Sequence, residues 1–289
     1  MSADLTAAES TDGPAVCATC GTALAGAYCH ACGEKRLDRH DYSFAHFAEH
    51  AVDTVTHFDL KVVRGAWSLL RRPGTMTADM LAGRRVPWPK PLQLFLLVNI
   101  LFFVVTGALQ ARIFDTKLGS HISPTAQRYG AFAQSMVATR VAERGTTADA
   151  YAEPFDEKGH TLAKSLVFLF IPLATAVLAL LNVGKRRYVL EHVLVATHVM
   201  TGVLLLLVLV LALLVGVALV GGAKIANDGL STAIFATLFL PFVAAMIRRA
   251  YGDGWAVSAA KSLGFCAAFV LVLLPVYRFL LFLVTFALT

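Results

Sequence analysis

The sequence predicts an all-α membrane protein with about five transmembrane helices, a small N-terminal zinc ribbon and amphipathic interfacial helices. Hydrophobic residues make up 57% of the 289 residues and charged residues 15%, whereas soluble domains have roughly 45–50% and 25%. The apolar residues are gathered into runs of about 20, the length that an α-helix needs to cross a bilayer, and basic residues cluster beside these runs. This composition excludes a disordered chain and a secreted disulfide scaffold, and it argues against a soluble enzyme.

Four of the five cysteines follow the pattern of a zinc site. Residues 1–16 have the composition of a disordered tail. Residues 17–36 then carry two Cys-x-x-Cys-Gly motifs, with eight residues between the second cysteine of one pair and the first of the next. Each motif can present two thiolates from one tight turn, and four thiolates satisfy the tetrahedral coordination of Zn²⁺. We expect a closed, structural zinc site, with an empty ribbon as the alternative. The predicted ligands are Cys17, Cys20, Cys29 and Cys32.

Residues 37–90 are predicted to form amphipathic interfacial helices and a Pro-rich entry to the membrane. Apolar residues recur every three or four positions from Ser43 to Arg72, which is the period of a helix, and Pro73-Gly74 ends the pattern. This stretch either anchors the ribbon on anionic headgroups or couples it to the transmembrane helices. A short helix is expected near residues 77–82. Basic and aromatic residues of the segment that follows are predicted membrane-interface anchors: Arg84, Arg85, Trp88 and Lys90.

Residues 91–289 are predicted to form the transmembrane bundle. Its five spans are expected at residues 92–109, 162–183, 189–220, 230–247 and 262–288. Pro275 predicts a kink in the fifth span. An extracytoplasmic loop at about 110–161 separates the first two spans, and the helical period of its apolar residues predicts one amphipathic helix, from Ser123 to Arg144.

Charge predicts the orientation. The net charge is +6, and we attribute it to membrane topology rather than to nucleic-acid binding, which is not expected. Excess basic residues alternate from one loop to the next, which places the N-terminus in the cytoplasm and the C-terminus outside. The basic residues of the predicted cytoplasmic flanks are Arg71, Arg72, Arg84, Arg85, Lys90, Lys185, Arg186, Arg187, Arg248, Arg249 and Lys261.

Few ionisable residues lie near or within the apolar runs, and they define a candidate intramembrane polar site: Glu191, His192, His198 and Arg278. Glu191 and His192 stand at the predicted cytoplasmic boundary, where an interfacial ion pair is the alternative to a functional role. His198 lies deeper and can relay protons, bind a metal or hydrogen-bond across the bundle. Arg278 either extends to the interface or pairs with a carboxylate. No catalytic motif is recognised, so no catalytic residue is assigned.

Together these motifs resemble a bacterial family of multi-pass membrane proteins known only as a domain of unknown function. The resemblance rests on the order of four motifs: the double Cys-x-x-Cys-Gly ribbon from Cys17 to Gly33, the stretch from Phe58-Asp59 to Arg72-Pro73-Gly74, Gly83-Arg84-Arg85 before Pro87 to Pro91, and Glu191-His192 with His198. It covers most of the chain except the loop from Gln110 to Ala163. It implies a bacterial inner membrane and a zinc ribbon, and it supplies no activity.

Three functional hypotheses follow. The first is a non-enzymatic scaffold or sensor whose ribbon binds structural Zn²⁺ and a cytoplasmic protein partner, while the bundle lies in the bilayer. The second is a small-solute or ion transporter or channel that uses Glu191 and His198. The third is an intramembrane lipid-modifying enzyme, for which no nucleophile or second acid is identified.

Overall fold

The computed structural model of the chain describes residues 16–36, 60–111, 113–221 and 228–289. The predicted N-terminal tail up to residue 15, and the predicted amphipathic stretch before Leu60, lie outside these ranges. In the described ranges the regular elements are helices, with two isolated β-bridges inside the ribbon, Val16 to Ala23 and Tyr28 to Lys35. The all-α prediction is therefore confirmed.

The helices are numbered in chain order. They are α1 Leu60–Arg71, α2 Thr75–Leu81, α3 Pro91–Ala108, α4 Leu118–His121, α5 Gly130–Arg144, α6 Ala148–Leu166, α7 Phe170–Leu181, α8 Val189–Gly221, α9 Asp228–Tyr251, α10 Trp255–Ala268 and α11 Leu274–Leu288. A short 3₁₀ turn, Val167–Leu169, joins α6 to α7, and a π-helical turn, Phe269–Leu273, joins α10 to α11.

Five stretches of helix are long and apolar enough to cross a membrane, as the sequence predicted. They are Pro91–Ala108, Ala148–Leu181, Val189–Leu219, Ile234–Tyr251 and Trp255–Leu288. The first begins with Pro91, which is well suited to this place because the first turn of a helix leaves its N–H groups without intrahelical partners.

Two of these helices extend beyond the predicted spans. The second begins at Ala148, where the Thr147 side chain caps it by accepting a hydrogen bond from the Ala150 N–H. Its first turns bury Tyr151, Phe155 and Gly159 at a spacing of four residues while charged residues occupy the other face. A hydropathy pattern ends where the charges begin, although the helix itself continues.

The fifth stretch also begins earlier than predicted, at Trp255, and its π-helical turn directly precedes Pro275. Proline has no N–H to continue the α-helical ladder, and a locally wider turn is one of the ways in which a helix accommodates it. The predicted irregularity at Pro275 therefore takes the form of a π-helical turn.

Helix α8 lies at the centre of the bundle and packs against α3, α7 and α9. Val195, Ala196 and Val199 are fully buried in this core. The α8–α9 contact is close: a Cβ atom on Gly202 would lie 2.0 Å from the ring of Phe242. Only glycine therefore fits at this position unless the ring moves.

A second hydrophobic cluster lies at one end of the bundle, and we call the structure around it the cap. It joins α4, α5, the first half of α6 and the last turns of α11, and its buried residues are Leu118, Ala133, Val137, Tyr151, Phe155, Phe282 and Phe286. The single helix predicted from Ser123 begins instead at Gly130, since residues 123–129 form turns. The opposite end of the bundle, which carries the ribbon, is called the ribbon end.

Candidate metal centre and its link to the bundle

The ribbon brings the four predicted cysteine ligands together. Their Sγ atoms all lie within 4.8 Å of one another, and two of the pairs, Cys17 with Cys32 and Cys20 with Cys29, are 3.5 Å apart. A tetrahedral zinc site with Zn–S bonds of about 2.3 Å places sulfur atoms about 3.8 Å apart. This donor set therefore fits one four-coordinate, thiolate-preferring metal ion.

The two Cys-x-x-Cys-Gly motifs fold into matching knuckles. The N–H of Gly21 donates to the carbonyl of Cys17 at 2.9 Å, and the N–H of Gly33 donates to that of Cys29 at 2.8 Å. Both glycines have positive φ, 75° and 76°, a conformation that other residues rarely adopt. Next to the first knuckle, Cys20 Sγ donates a hydrogen bond to Thr22 Oγ1 at 3.2 Å.

Glu34 joins the ribbon to the Pro-rich segment before α3. Its Oε2 accepts hydrogen bonds from Thr19 Oγ1 at 2.6 Å and from the backbone N–H groups of Arg85 and Val86, each at 2.9 Å. The residue is only 5% exposed. A carboxylate that accepts three hydrogen bonds is well satisfied at this depth, so the last knuckle of the ribbon is fixed to the membrane entry.

Two of the four predicted interface anchors, Arg84 and Trp88, are held by an acidic residue of α2. Asp79 accepts hydrogen bonds from the Arg84 guanidinium and, through its other oxygen, from Trp88 Nε1 at 3.1 Å. Arg85 and Lys90 are exposed. Two of the four anchors therefore shape the Pro-rich segment, while the other two present their charges at the surface.

Helix α2 reaches the bundle core through His198. Thr77 and His198 are both fully buried, and Thr77 Oγ1 lies 2.9 Å from His198 Nδ1. The N-terminus of α2 also packs closely on α9, because a Cβ atom on Gly74 would lie 3.0 Å from the carbonyl oxygen of Ala245. Of the three roles weighed for His198, this contact supports a hydrogen bond across the bundle.

The other residues of the candidate polar site have separate partners. Glu191 accepts hydrogen bonds from Arg187 at 2.8 Å and from the Tyr188 N–H at 2.9 Å, which is the interfacial ion pair weighed above. His192 Nδ1 lies 2.7 Å from Tyr251 Oη, and the two rings stack. These contacts lie near the first turns of α8, at the ribbon end.

Arg278 lies at the cap end and is half-buried in α11. Its charge acts on His121 and Tyr129 of the cap, whereas Glu191 is paired with Arg187 at the ribbon end. The structure therefore does not unite Glu191 and Arg278 in one site.

A partly buried ion network at the ribbon end was not recognised in the sequence. Asp253 lies between Lys185 and Lys261, with both Nζ atoms 2.7 Å from its oxygens, and Lys261 also donates to Asn182 Oδ1 at 2.7 Å. Burial opposes ionisation of Asp253, but the hydrogen bonds from both lysines outweigh burial and lower its pKa. The network ties the α7–α8 connection to the α9–α10 turn.

Nothing in the sequence distinguishes three functional acids from ordinary acidic residues of loops and helices: Glu34, Asp79 and Asp253. The one weak indication is that each is an isolated acid close to a basic or Pro-rich segment, where a hydrogen-bond acceptor is needed. Tyr251, the partner of His192, follows Arg248-Arg249 and gave no signal of its own.

Comparison with known proteins gives one match. A family described as "Protein of unknown function (DUF3667)" matches residues 59–103. The matched segment contains α1, α2, the Pro-rich segment and most of α3, which together form the link between ribbon and bundle. No curated protein and no solved structure matches the chain.

Proposed function

We propose that this chain is a non-enzymatic multi-pass protein of a bacterial inner membrane, in which a structural zinc ribbon serves as a cytoplasmic interaction or sensing module fixed to the bundle. The observation that carries the proposal is Glu34: a buried carboxylate of the ribbon accepts hydrogen bonds from the backbone of Arg85 and Val86 at the entry to the first span. A ribbon attached in this way can transmit the presence of metal, or of a partner, to the membrane helices.

Zinc is the metal that this donor set favours. Cys17, Cys20, Cys29 and Cys32 supply four thiolates and no open position, which is the arrangement of structural rather than catalytic zinc sites. Zinc would hold the two knuckles together, and thereby place Glu34 against the Pro-rich segment.

The distribution of charge supports a cytoplasmic ribbon. The ribbon end carries the basic loops and flanks, including Arg85, Lys185, Arg187, Arg249 and Lys261. Short loops rich in Lys and Arg remain on the cytoplasmic side of bacterial membranes. Exposed arginines and lysines at this end also suit the anionic headgroups of that leaflet.

A scaffold role is favoured by how the intramembrane polar residues are used. Glu191, His192 and His198 contact Arg187, Tyr251 and Thr77, and these contacts join neighbouring helices or cap a helix. Such residues stabilise the bundle, as interhelical hydrogen bonds do in membranes.

The test begins with metal content of the full-length protein purified in mild detergent. We expect one zinc ion per chain, loss of zinc in Cys29→Ser, and retention in Cys266→Ser, which removes a half-buried cysteine outside the ribbon. In-cell cross-linking with both variants then tests the interaction role. Cross-linked partners should disappear in Cys29→Ser at an equal protein level and persist in Cys266→Ser. Identical cross-linking in both variants would contradict the proposal.

A second candidate is proton or small-solute transport through the bundle. The observation in its favour is that Nε2 of His198 is buried without a hydrogen-bond partner among the described residues. Flux into liposomes decides between the two: transport that falls in His198→Gln supports this candidate, and flux equal to that of protein-free liposomes removes it.

A further inference from the structure

Arg278 is a cation that the proposed function does not use. It is half-buried in α11, and no ion pair or hydrogen bond within the described part of the chain joins it to another side chain. An unpaired charge at such a depth is costly, and buried cations are ordinarily balanced by an anion. Two acids of the segments that form the cap have partners of their own: Asp115 contacts His160, and Asp156 accepts from the Leu118 N–H.

Arg278 lies at a point along its helix that matches the level of lipid headgroups in a bilayer. The helix passes the ion network of Lys261 at the ribbon end, and Arg278 follows about 25 Å further along the axis at 1.5 Å per residue. The hydrocarbon core of a bilayer is about 30 Å thick. A guanidinium at this level therefore reaches the opposite layer of phosphate groups.

The cap places two polar groups over the same face of α11. Phe282 lies one turn beyond Arg278 on that face, and its ring centroid is 5.5 Å from that of His121 and 6.1 Å from that of Tyr129. His121 Nδ1 and Tyr129 Oη are 2.6 Å apart. Burial, together with the charge of Arg278, lowers the pKa of His121 to about 4, so the imidazole is neutral at pH 7.

The His121–Tyr129 pair is neutral in both tautomers. If Tyr129 donates to Nδ1, the hydrogen of His121 is on Nε2, which is buried and lies beside the backbone of Thr116. If Nδ1 donates instead, the hydroxyl hydrogen of the half-buried Tyr129 is left to donate elsewhere. Neither tautomer brings a negative charge to the guanidinium of Arg278.

We propose that Arg278, assisted by the His121–Tyr129 pair, forms a binding site for a phosphate group, supplied by a phospholipid headgroup or by free phosphate. The planar fork of arginine matches two phosphate oxygens, and the Tyr129 hydroxyl can add a hydrogen bond when His121 Nδ1 donates to it. The ring of Phe279, 5.1 Å from that of Tyr129, borders the site with apolar surface suited to an acyl chain.

The test measures thermal stability of the full-length protein in detergent with three additives: short-chain phosphatidylglycerol, inorganic phosphate and diacylglycerol. We expect phosphatidylglycerol, but not diacylglycerol, to raise the melting temperature, because a ligand that binds the folded state stabilises it. In Arg278→Gln the required concentration should rise about tenfold or more, the effect of losing a charge-assisted hydrogen bond. Arg128→Gln, an equal charge change at an exposed cap position, should respond like the wild type.

The measurement with inorganic phosphate shows whether the bound phosphate group comes from a lipid or from free phosphate. Stabilisation by inorganic phosphate at concentrations similar to those of the lipid assigns the site to free phosphate, and stabilisation by the lipid alone assigns it to a headgroup. Arg278→Lys keeps the charge but loses the fork, so it serves if the glutamine variant does not fold, and we expect an intermediate response. An Arg278→Gln or Arg278→Lys protein that responds at the wild-type concentration, or a wild type that diacylglycerol stabilises equally, overturns the proposal.

Discussion

The carboxylate of Glu34 accepts hydrogen bonds from the consecutive backbone N–H groups of Arg85 and Val86, each 2.9 Å long. These two residues are about 50 positions away from Glu34 in the sequence and directly precede the prolines that lead into the first span. The four-cysteine ribbon and the segment leading into the first span are thus joined through one side chain.

Glu34→Ala should loosen this junction without removing the metal. Both N–H groups would lose their acceptor, at a cost of about 1 kcal/mol for each of these partly buried hydrogen bonds. Hydrogen–deuterium exchange at Arg85 and Val86 should accelerate, while zinc content stays unchanged because the four cysteines are intact. Thr19→Val, which removes only the hydrogen bond inside the ribbon, is the matched control and should leave exchange at both amides slow.

Thr77 and His198 should be energetically coupled. Thr77→Val and His198→Phe each remove the 2.9 Å contact between α2 and α8, so the double variant should be less destabilised than the sum of the two. The coupling should be about 1 kcal/mol, the size typical of hydrogen bonds between membrane helices. Unfolding in denaturing detergent measures it. Strict additivity would show that the contact contributes nothing, and the pair Thr77→Val with His192→Phe, which share no contact, supplies the additive reference.

Asp253→Asn should destabilise the ribbon end near neutral pH. The change leaves Lys185 and Lys261 facing each other without the carboxylate between them. Because the folded-state pKa of Asp253 lies below its ordinary value of 3.8, its stabilising effect is present above that value and is lost as the pH falls through the folded-state pKa. The melting temperatures of wild type and variant should therefore differ at pH 7 and converge below about pH 4. A difference that persists in acid would point to packing rather than charge.

The stability of the cap should depend on His121. Its pKa is about 4 in the folded protein against 6.5 ordinarily, so between these values the unfolded chain binds a proton that the folded chain does not. Stability contributed by neutral His121 is complete above pH 6.5 and falls as the pH is lowered towards 4, by at most about 1.4 kcal/mol per pH unit. His121→Phe retains the aromatic packing and should flatten thermal stability across this window. An equally steep pH profile in the variant would assign the effect to another group.

The five spans could be predicted from sequence because the energetic rule is local: about 20 apolar residues in a row are sufficient to identify each one. The cysteine ligands were equally accessible, since their spacing alone brings the sulfur atoms together. The start at Ala148 was missed because its first turns have a charged face, and the start at Trp255 because small residues, Ser258 and Lys261 dilute the apolar run there. Only packing against the cap or the ribbon end shows that each helix continues.

Contacts across long sequence separations were not predictable from periodicity. Thr77 and His198 lie on different helices, and nothing in either segment identifies the other. Glu34 and Asp253 are satisfied by a backbone or by lysines from distant segments, so their role emerges only after the chain has folded. Arg278 stands out in the sequence, but His121 and Tyr129, on which its charge acts, belong to a loop for which periodicity predicts only one amphipathic helix.

The two long composite helices, Ala148–Leu181 and Trp255–Leu288, each run about 50 Å without a loop, from the ribbon end through the bundle and into the cap. Each has an irregular turn next to the stacked rings of Phe170 and Phe269, whose centroids are 5.3 Å apart. The cap is thus built on the outer turns of the same two helices that are long enough to cross the bilayer. Grafting the cap onto another protein, or removing it at Leu162, would cut through one of these helices. Chimeras must therefore exchange both helices in full.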